Sequence, residues 1–372
     1  MKRFIISIAF LFIFIWAGFF IWNNIKSSPV LEKTNALQTP SEDEFQKAPK
    51  ISVFAKNLEV PWAMAFLPDG ELLVTERKGS IRFIDKEGNI APSPVAEIQV
   101  AQNNESGLHG IVIHPDFDNN QFVYIYYAYS STGGNNLNRV VRFKFDGRSF
   151  SDEKIILDKI PAANIHDGGR IKFGPDGYLY VTTGDAAEPS LSQNKNSLAG
   201  KILRVTDNGN SAPGNPFGTT VFSYGHRNPQ GLAWDDNGNL WETEHGSSAH
   251  DEFNKIQAGG NYGWPDFIGG QTADGIISPI LQSGTETWAP AGMAYLNGSL
   301  FFAGLRGESL FQAVLNGDNA ELARHFQGEY GRIRDVVVGP DGFLYITTSN
   351  RDGRGFPREN DDKILRINPQ KL

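Results

Sequence analysis

Gly174-Pro175-Asp176-Gly177, followed directly by Tyr178-Leu179-Tyr180-Val181-Thr182-Thr183, compresses a tight turn and a strand into ten residues. Proline presets φ at the turn, glycine accepts a positive φ, and the β-branched and aromatic run behind them favours an extended chain. The pattern recurs on both sides of this copy. Upstream stand Leu67-Pro68-Asp69-Gly70 before residues 71–76 and His114-Pro115-Asp116-Phe117 before residues 122–126. Downstream stand Asp236-Asn237-Gly238 before residues 239–243, Leu296-Asn297-Gly298 before residues 299–303, and Gly339-Pro340-Asp341-Gly342 before residues 343–348. Each copy is a hairpin signal.

Six copies spaced about 45–60 residues apart match radial blades of four strands, so the repeats predict an all-β, six-bladed β-propeller with four-stranded antiparallel blades. No long stretch carries helical periodicity. The last strand, Lys363-Ile364-Leu365-Arg366-Ile367, is expected to pair with the segment at residues 51–54 and close the ring, which removes exposed edges. Propellers place their sites at one mouth of the central channel, so the polar residues just outside the repeated strands are the ones that matter.

The composition agrees. The 372 residues include 40 glycines and 26 phenylalanines but 3 methionines, as suits many short strands and turns. The net charge of −8 excludes a broad basic surface for nucleic acid. With no cysteine, disulfides, thiolate metal sites and cysteine nucleophiles are excluded.

The first residues differ in kind. Lys2 and Arg3 precede an uncharged apolar run over residues 4–22, about 28 Å long as a helix and so close to a bilayer's hydrocarbon thickness. Bulky Phe19, Phe20, Ile21 and Trp22 follow Ala17 and Gly18 without an evident cleavage site, which favours an uncleaved signal anchor over a long cleaved signal peptide. Both readings place the globular part on the periplasmic or extracellular face. Residues 1–25 are thus assigned to the anchor or signal segment, residues 26–50 to a flexible polar spacer, and residues 51–372 to the propeller.

Five segments carry candidate chemistry. His166, in Asn164-Ile165-His166-Asp167-Gly168-Gly169-Arg170, lies before one strand, and Asp185, in Thr183-Gly184-Asp185, ends the next. Meeting at the mouth, they would form a carboxylate-oriented imidazole base; the alternative is a loop histidine capping its own turn. Tyr224-Gly225-His226-Arg227-Asn228-Pro229-Gln230 crowds polar groups that fit either a planar polar ligand or a loop folded on itself. Residues 242–252, followed by Gly260-Asn261-Tyr262-Gly263-Trp264-Pro265, put carboxylates beside glycine-rich backbone. That suits a hard cation such as calcium, or simply an acidic surface loop. In Gly331-Arg332-Ile333-Arg334-Asp335, strand alternation puts both arginines on one face, where with Arg306 they make a carboxylate or phosphate clamp, or else a solvated basic edge.

In this order the segments, together with Gly107-Leu108-His109-Gly110-Ile111-Val112-Ile113-His114-Pro115-Asp116-Phe117, resemble the soluble pyrroloquinoline-quinone-dependent glucose and aldose sugar dehydrogenases over essentially all of residues 51–372. The resemblance implies an oxidoreductase in which His166 takes the proton of the anomeric hydroxyl while hydride passes to the quinone, and Asp185 orients His166. It implies that Arg227 and Asn228 contact the quinone oxygens and that Arg306, Arg332 and Arg334 hold the cofactor's carboxylates. Glu105 matches a cofactor-contacting glutamine, and Trp288 a residue of the substrate mouth. The main-chain oxygens of Gly246 and Ser247 would bind one calcium ion; Glu252 and the Tyr262 carbonyl would serve a second. The partners implied are an aldose substrate, an unidentified electron acceptor and a membrane met only through the N-terminal segment, for a monomer or homodimer that binds no nucleic acid. The sequence departs from the family's pattern at Glu105, Arg306 and Ser247, where an amide, a lysine and a proline are common. A calcium-dependent, lactonase-like hydrolase and a non-catalytic binding propeller are the alternatives on the same scaffold.

Overall fold

The computed structural model describes residues 42–372, so the anchor and most of the spacer assigned from the sequence lie outside the described residues. Among the described residues, twenty-four strands form six four-stranded antiparallel sheets, as the repeats predicted. After β1 (Ile51–Ala55), blade one is β2 (Pro61–Phe66), β3 (Leu72–Glu76), β4 (Ser80–Ile84) and β5 (Ala96–Glu97). Blade two is β6 (Leu108–Ile113), β7 (Phe122–Ser130), β8 (Asn136–Phe145) and β9 (Phe150–Pro161), and blade three is β10 (Ile171–Phe173), β11 (Leu179–Thr183), β12 (Lys201–Val205) and β13 (Val221–Tyr224). Blade four is β14 (Pro229–Trp234), β15 (Leu240–Glu244), β16 (Glu252–Ile256) and β17 (Leu281–Gln282). Blade five is β18 (Pro290–Leu296), β19 (Ser299–Gly304), β20 (Ser309–Asn316) and β21 (Asn319–His325). Blade six is β22 (Ile333–Val338), β23 (Leu344–Thr348) and β24 (Ile364–Ile367), and β1 is its fourth strand, with Ile51 opposite Ile367 and Val53 opposite Leu365.

The six repeated turns all join the first strand of a blade to the second. Aspartates organise the turns that carry one: the Asp176 carboxylate accepts from the Tyr178 N–H (3.2 Å), the Tyr180 hydroxyl (2.9 Å) and Arg204 Nε (2.9 Å). Asp341 repeats the arrangement with Tyr345 and Arg366. Blade two departs from the pattern, because its turn winds into a short helix, Phe117–Asn120. Antiparallel pairing then decides which loops share a mouth. If all first-to-second turns lie at one end, the second-to-third loops and the connections between blades lie at the other. His166, Asp185, Arg227, Glu105, Arg306, Arg332 and Gly246 all belong to that second set.

Each blade is covered on both faces. One apolar cluster fills each of the six junctions between neighbouring blades, including Tyr124, Ile171, Val181 and Leu203 between blades two and three. This is why strands such as β11 are buried throughout instead of alternating. The end of the expected spacer is a structured part of this body: residues Glu42–Lys47 form helix α1, and Phe45 stacks on Phe343 with ring centroids 4.7 Å apart. The polar composition of the spacer concealed that single apolar anchor.

Ring closure is testable within one cross-strand pair. Leu365 is buried and its partner Val53 is 56% exposed. Leu365→Ala is expected to cost about 2–5 kcal/mol and Val53→Ala under about 0.5 kcal/mol, read as shifts of the urea unfolding midpoint.

Candidate active site

His166 sits in the β9–β10 connection with φ of +62°, a left-handed conformation that its surroundings enforce. Its N–H donates to Glu105 Oε2 (3.3 Å), and its carbonyl accepts from the Ala186 N–H (3.2 Å). Gly184 permits this approach, since a Cβ there would lie 1.8 Å from the His166 carbonyl oxygen. The ring meets the carboxylate expected from the sequence: Nδ1 is 2.8 Å from Asp185 Oδ1. Asp185 is fully buried and held on both oxygens, Oδ1 by the Ala187 N–H (2.8 Å) and Oδ2 by the Trp264 indole N–H (2.9 Å). A carboxylate only accepts, so Nδ1 of the neutral ring carries the proton and Nε2 keeps its lone pair. The turn-capping alternative therefore gives way to an imidazole oriented by a buried carboxylate.

The two residues after His166, Asp167 and Gly168, line a cavity of about 430 Å³ at this mouth. Five arginines face it, Arg77, Arg306, Arg332, Arg334 and Arg354, against three carboxyl groups, Glu105, Asp167 and Asp352. Arg332 donates from Nε to Asp352 Oδ2 (2.8 Å) and from Nη1 to the Leu305 carbonyl (3.1 Å). Arg334 donates from Nη1 to Gln230 Oε1 (3.0 Å), its buried Nε has no partner, and burial pushes its pKa down to about 9. The shared face inferred from strand alternation is thus observed. Arg306 is exposed at the rim. Glu105 is taken up by Arg354 (2.5 Å) and the His166 N–H; burial raises its carboxyl, but neighbouring cationic groups, Arg354 among them, more than offset this and hold it below the usual range. It acts in this structure by fixing His166.

Two histidines complete the walls, both kept neutral by burial. His245 is pushed down to about 4 and its Nε2–H donates to the Pro290 carbonyl (2.8 Å). His109 is pushed down to about 3, stacks on Trp62 with centroids 4.9 Å apart, and donates to the Glu105 carbonyl (3.0 Å).

The loop before β14 is held by its own polar groups and still leaves donors free. Glu244 accepts from the N–H groups of Arg227 (2.5 Å) and Asn228 (3.3 Å) and from His226 Nδ1 (3.0 Å). Asn228 Oδ1 accepts from the Gly168 N–H (3.1 Å), while its Nδ2, like Arg227 Nε, is buried without a partner.

The model of the family described as glucose / sorbosone dehydrogenase matches residues 58–365. The chain belongs to that family. It is 31% identical over 354 residues to the aldose sugar dehydrogenase of Escherichia coli K12, covering 86% of this chain and 93% of that one. It is 32% identical over 266 residues to quinoprotein glucose dehydrogenase B of Acinetobacter calcoaceticus, covering 62% and 56%. Among solved structures, the pyrroloquinoline-quinone-bound form of the Streptomyces coelicolor aldose sugar dehydrogenase superposes with a TM-score of 0.80 at 41% identity, covering 86% of this chain and 98% of that one. The resemblance read from the sequence is borne out.

In this member of the glucose / sorbosone dehydrogenase family, the expected metal residues lie beside the cavity in a narrow cleft that shares His245 with it. Gly246, Ser247, Glu252 and Tyr262 line that cleft with Arg227 and Trp264. The three residues after Ser247 all have positive φ, curling the backbone tightly, and Asp251 pins the curl through the N–H groups of Gly246 (2.9 Å), Trp288 (2.6 Å) and Ala289 (2.8 Å). Behind it, Glu242, Glu244 and His226 present ligand atoms within 4.8 Å of one another. Burial and the nearby Glu244 charge push Glu252 up to about 8 and Glu242 well above the carboxylate range.

Trp288 is a correction. Instead of lining the substrate mouth it is buried against Phe302 and Phe311, and its neighbours Thr287 and Ala289 reach the cavity. Sequence reasoning also missed Arg77, Arg354 and the positioning role of Glu244. Arg77 reads as part of a turn ending in Gly79, and Arg354 as part of a glycine-rich loop; only the meeting of blades one and six reveals them.

His109 supplies a pH test. Its folded pKa lies below the unfolded value, so as pH falls from about 6.5 towards 3 the unfolded chain binds a proton that the folded chain refuses, and stability is lost. Over that window the stability difference between wild type and His109→Phe is expected to fall by up to about 1.4 kcal/mol per pH unit, measured by urea unfolding across pH.

Proposed function

We propose that the protein oxidises aldoses at the anomeric carbon to lactones, with pyrroloquinoline quinone as the oxidant and His166 as the base. The observation that carries this is the His166–Asp185 pair beside a cavity with more arginines than carboxylates. The quinone, when bound, accepts the hydride from C1 of the sugar.

The chain's own residues do the rest. His166 Nε2 takes the hydroxyl proton, and the buried Asp185 carboxylate stabilises the imidazolium so formed and keeps the ring in register. Glu105 holds the His166 backbone from the opposite side, and Glu244 holds the loop that presents Arg227 and Asn228. Their unpartnered donors suit oxygens on which negative charge develops.

The residues present fit the cofactor. A planar tricarboxylate needs donors and positive charge, and Arg306, Arg332 and Arg334 would hold its carboxylates from the arginine side of the cavity. They also fit calcium, a hard cation that takes oxygen ligands. The carbonyls of Gly246, Ser247 and Tyr262 accept no hydrogen bond from a described residue, and Glu252 belongs to a buried acidic cluster whose mutual repulsion a cation would relieve. The hydrolase alternative finds less support, because each cavity carboxylate is already engaged: Glu105 by Arg354, Asp352 by Arg332, Asp167 by Ser106 and Asn138. The proposal extends to an enzyme held on the outer face of the cytoplasmic membrane by residues 4–22, passing electrons to a separate acceptor.

Purified protein reconstituted with pyrroloquinoline quinone and calcium is expected to reduce a dye with several aldoses. Absence of cofactor-dependent reduction with every sugar would count against the assignment. His166→Ala is expected to lower kcat by about a hundred- to ten-thousand-fold while leaving cofactor affinity within about two-fold, measured by turnover and by fluorescence titration.

A further inference from the structure

Arg77 is a cation that makes no ion pair with a described residue. It follows β3 in blade one and reaches across to the β23–β24 loop of blade six, where Nη2 donates to the Asp352 main-chain carbonyl (3.1 Å). That neutral oxygen is its single side-chain acceptor among the described residues; Nε is buried without a partner, and Nη1 makes no hydrogen bond. Among the described residues no carboxylate lies within ion-pair distance of it. The Asp352 carboxylate is occupied by Arg332 Nε (2.8 Å), Ser349 Oγ (3.5 Å) and the Arg354 N–H (2.9 Å).

An arginine that is 8% exposed and makes no ion pair is costly. Burial penalises the charge and pulls the guanidinium down, the Asp352 and Glu105 carboxylates, each engaged by another arginine, offset this only in part, and Arg354 and Arg332 repel it. The fold nevertheless makes room for it. Gly107, at φ +150°, passes so close that a Cβ would lie 2.1 Å from the Arg77 carbonyl oxygen and 2.9 Å from its Cγ. The guanidinium lines the same cavity as Arg332 and Arg334.

We infer that Arg77 is a further cofactor-binding residue, a guanidinium kept unpaired so that a carboxylate of the bound quinone cofactor completes its coordination alongside Arg332 and Arg334. The inference rests on the quinone reading above. It assigns to this one residue a contact with the ligand that outweighs its single hydrogen bond to the Asp352 carbonyl in the free protein. Removing it therefore weakens binding without weakening the fold, the reverse of what a structural arginine would do.

The test is a fluorescence titration of pyrroloquinoline quinone into wild type, Arg77→Gln and Arg77→Lys, with thermal unfolding of each in the cofactor-free state. Arg77→Gln is expected to bind roughly ten- to a hundred-fold more weakly, as loss of a charge-assisted contact requires, and Arg77→Lys to fall between the two. The cofactor-free Tm of Arg77→Gln is expected to equal or exceed that of wild type. Wild-type affinity in Arg77→Gln would overturn the inference, as would a lowered cofactor-free Tm or failure to fold, since either would make Arg77 a structural residue. A wild type that binds no cofactor would instead overturn the proposed function, and the inference with it.

Discussion

The ion pair between Arg170 Nη1 and Asp335 Oδ1, 3.0 Å long and almost wholly buried, joins blades three and six near the channel axis. Burial penalises both charges, raising the Asp335 carboxyl and lowering the Arg170 guanidinium, so neither is tolerable without the other. Other blades close on the pair. Asp335 Oδ2 accepts from the Met64 N–H of blade one (2.9 Å), and Arg170 Nε donates to the Gln230 carbonyl of blade four (2.9 Å). Blade five contributes Gly292, where any Cβ would lie 1.8 Å from Asp335 Oδ1. The same arginine packs over Trp62, a cavity-wall residue, with its Cζ 4.5 Å from the ring centre. The pair thus forms the base on which the site is built, and strands from separate blades must be in register before it can form.

Above this base the cavity is electrostatically unbalanced. Five guanidiniums face three carboxyl groups there, so positive charge is in excess even though Arg332 and Arg354 are paired with Asp352 and Glu105. Such an arrangement is stable enough only because the six apolar junctions supply the folding energy independently of the site. The excess of positive charge then acts as preorganisation for an anionic ligand, since the guanidiniums are already held in place by the protein's own acceptors.

Positioning is shared between sequence neighbours and distant loops. Asp185 is oriented by Ala187 next to it and by Trp264 in a later blade; His166 is set by Glu105, itself tied to Arg354 at a separation of 249 residues. A pair built this way tolerates little motion, because each member is restrained by groups on different blades.

The sequence by itself determined the propeller, its six blades, the closing pair of β1 and β24, and the family. These follow from local chemistry: proline and glycine at turns, β-branched and aromatic runs behind them, and motif order, all of which act over a few residues. The polarity of the helix at Glu42–Lys47 hid it, and composition could not reveal Phe45 as its anchor. His166 and Asp185 were legible as candidates, but their 2.8 Å contact was decided by how two adjacent loops fold. Arg77, Arg354, Glu244 and the burial of Trp288 were settled by tertiary structure alone, because whether a side chain faces a cavity or a core depends on which blades come together around it. Hydrogen-bond partners hundreds of residues apart leave no trace in local sequence, and the electrostatics of a site are a property of that assembled environment.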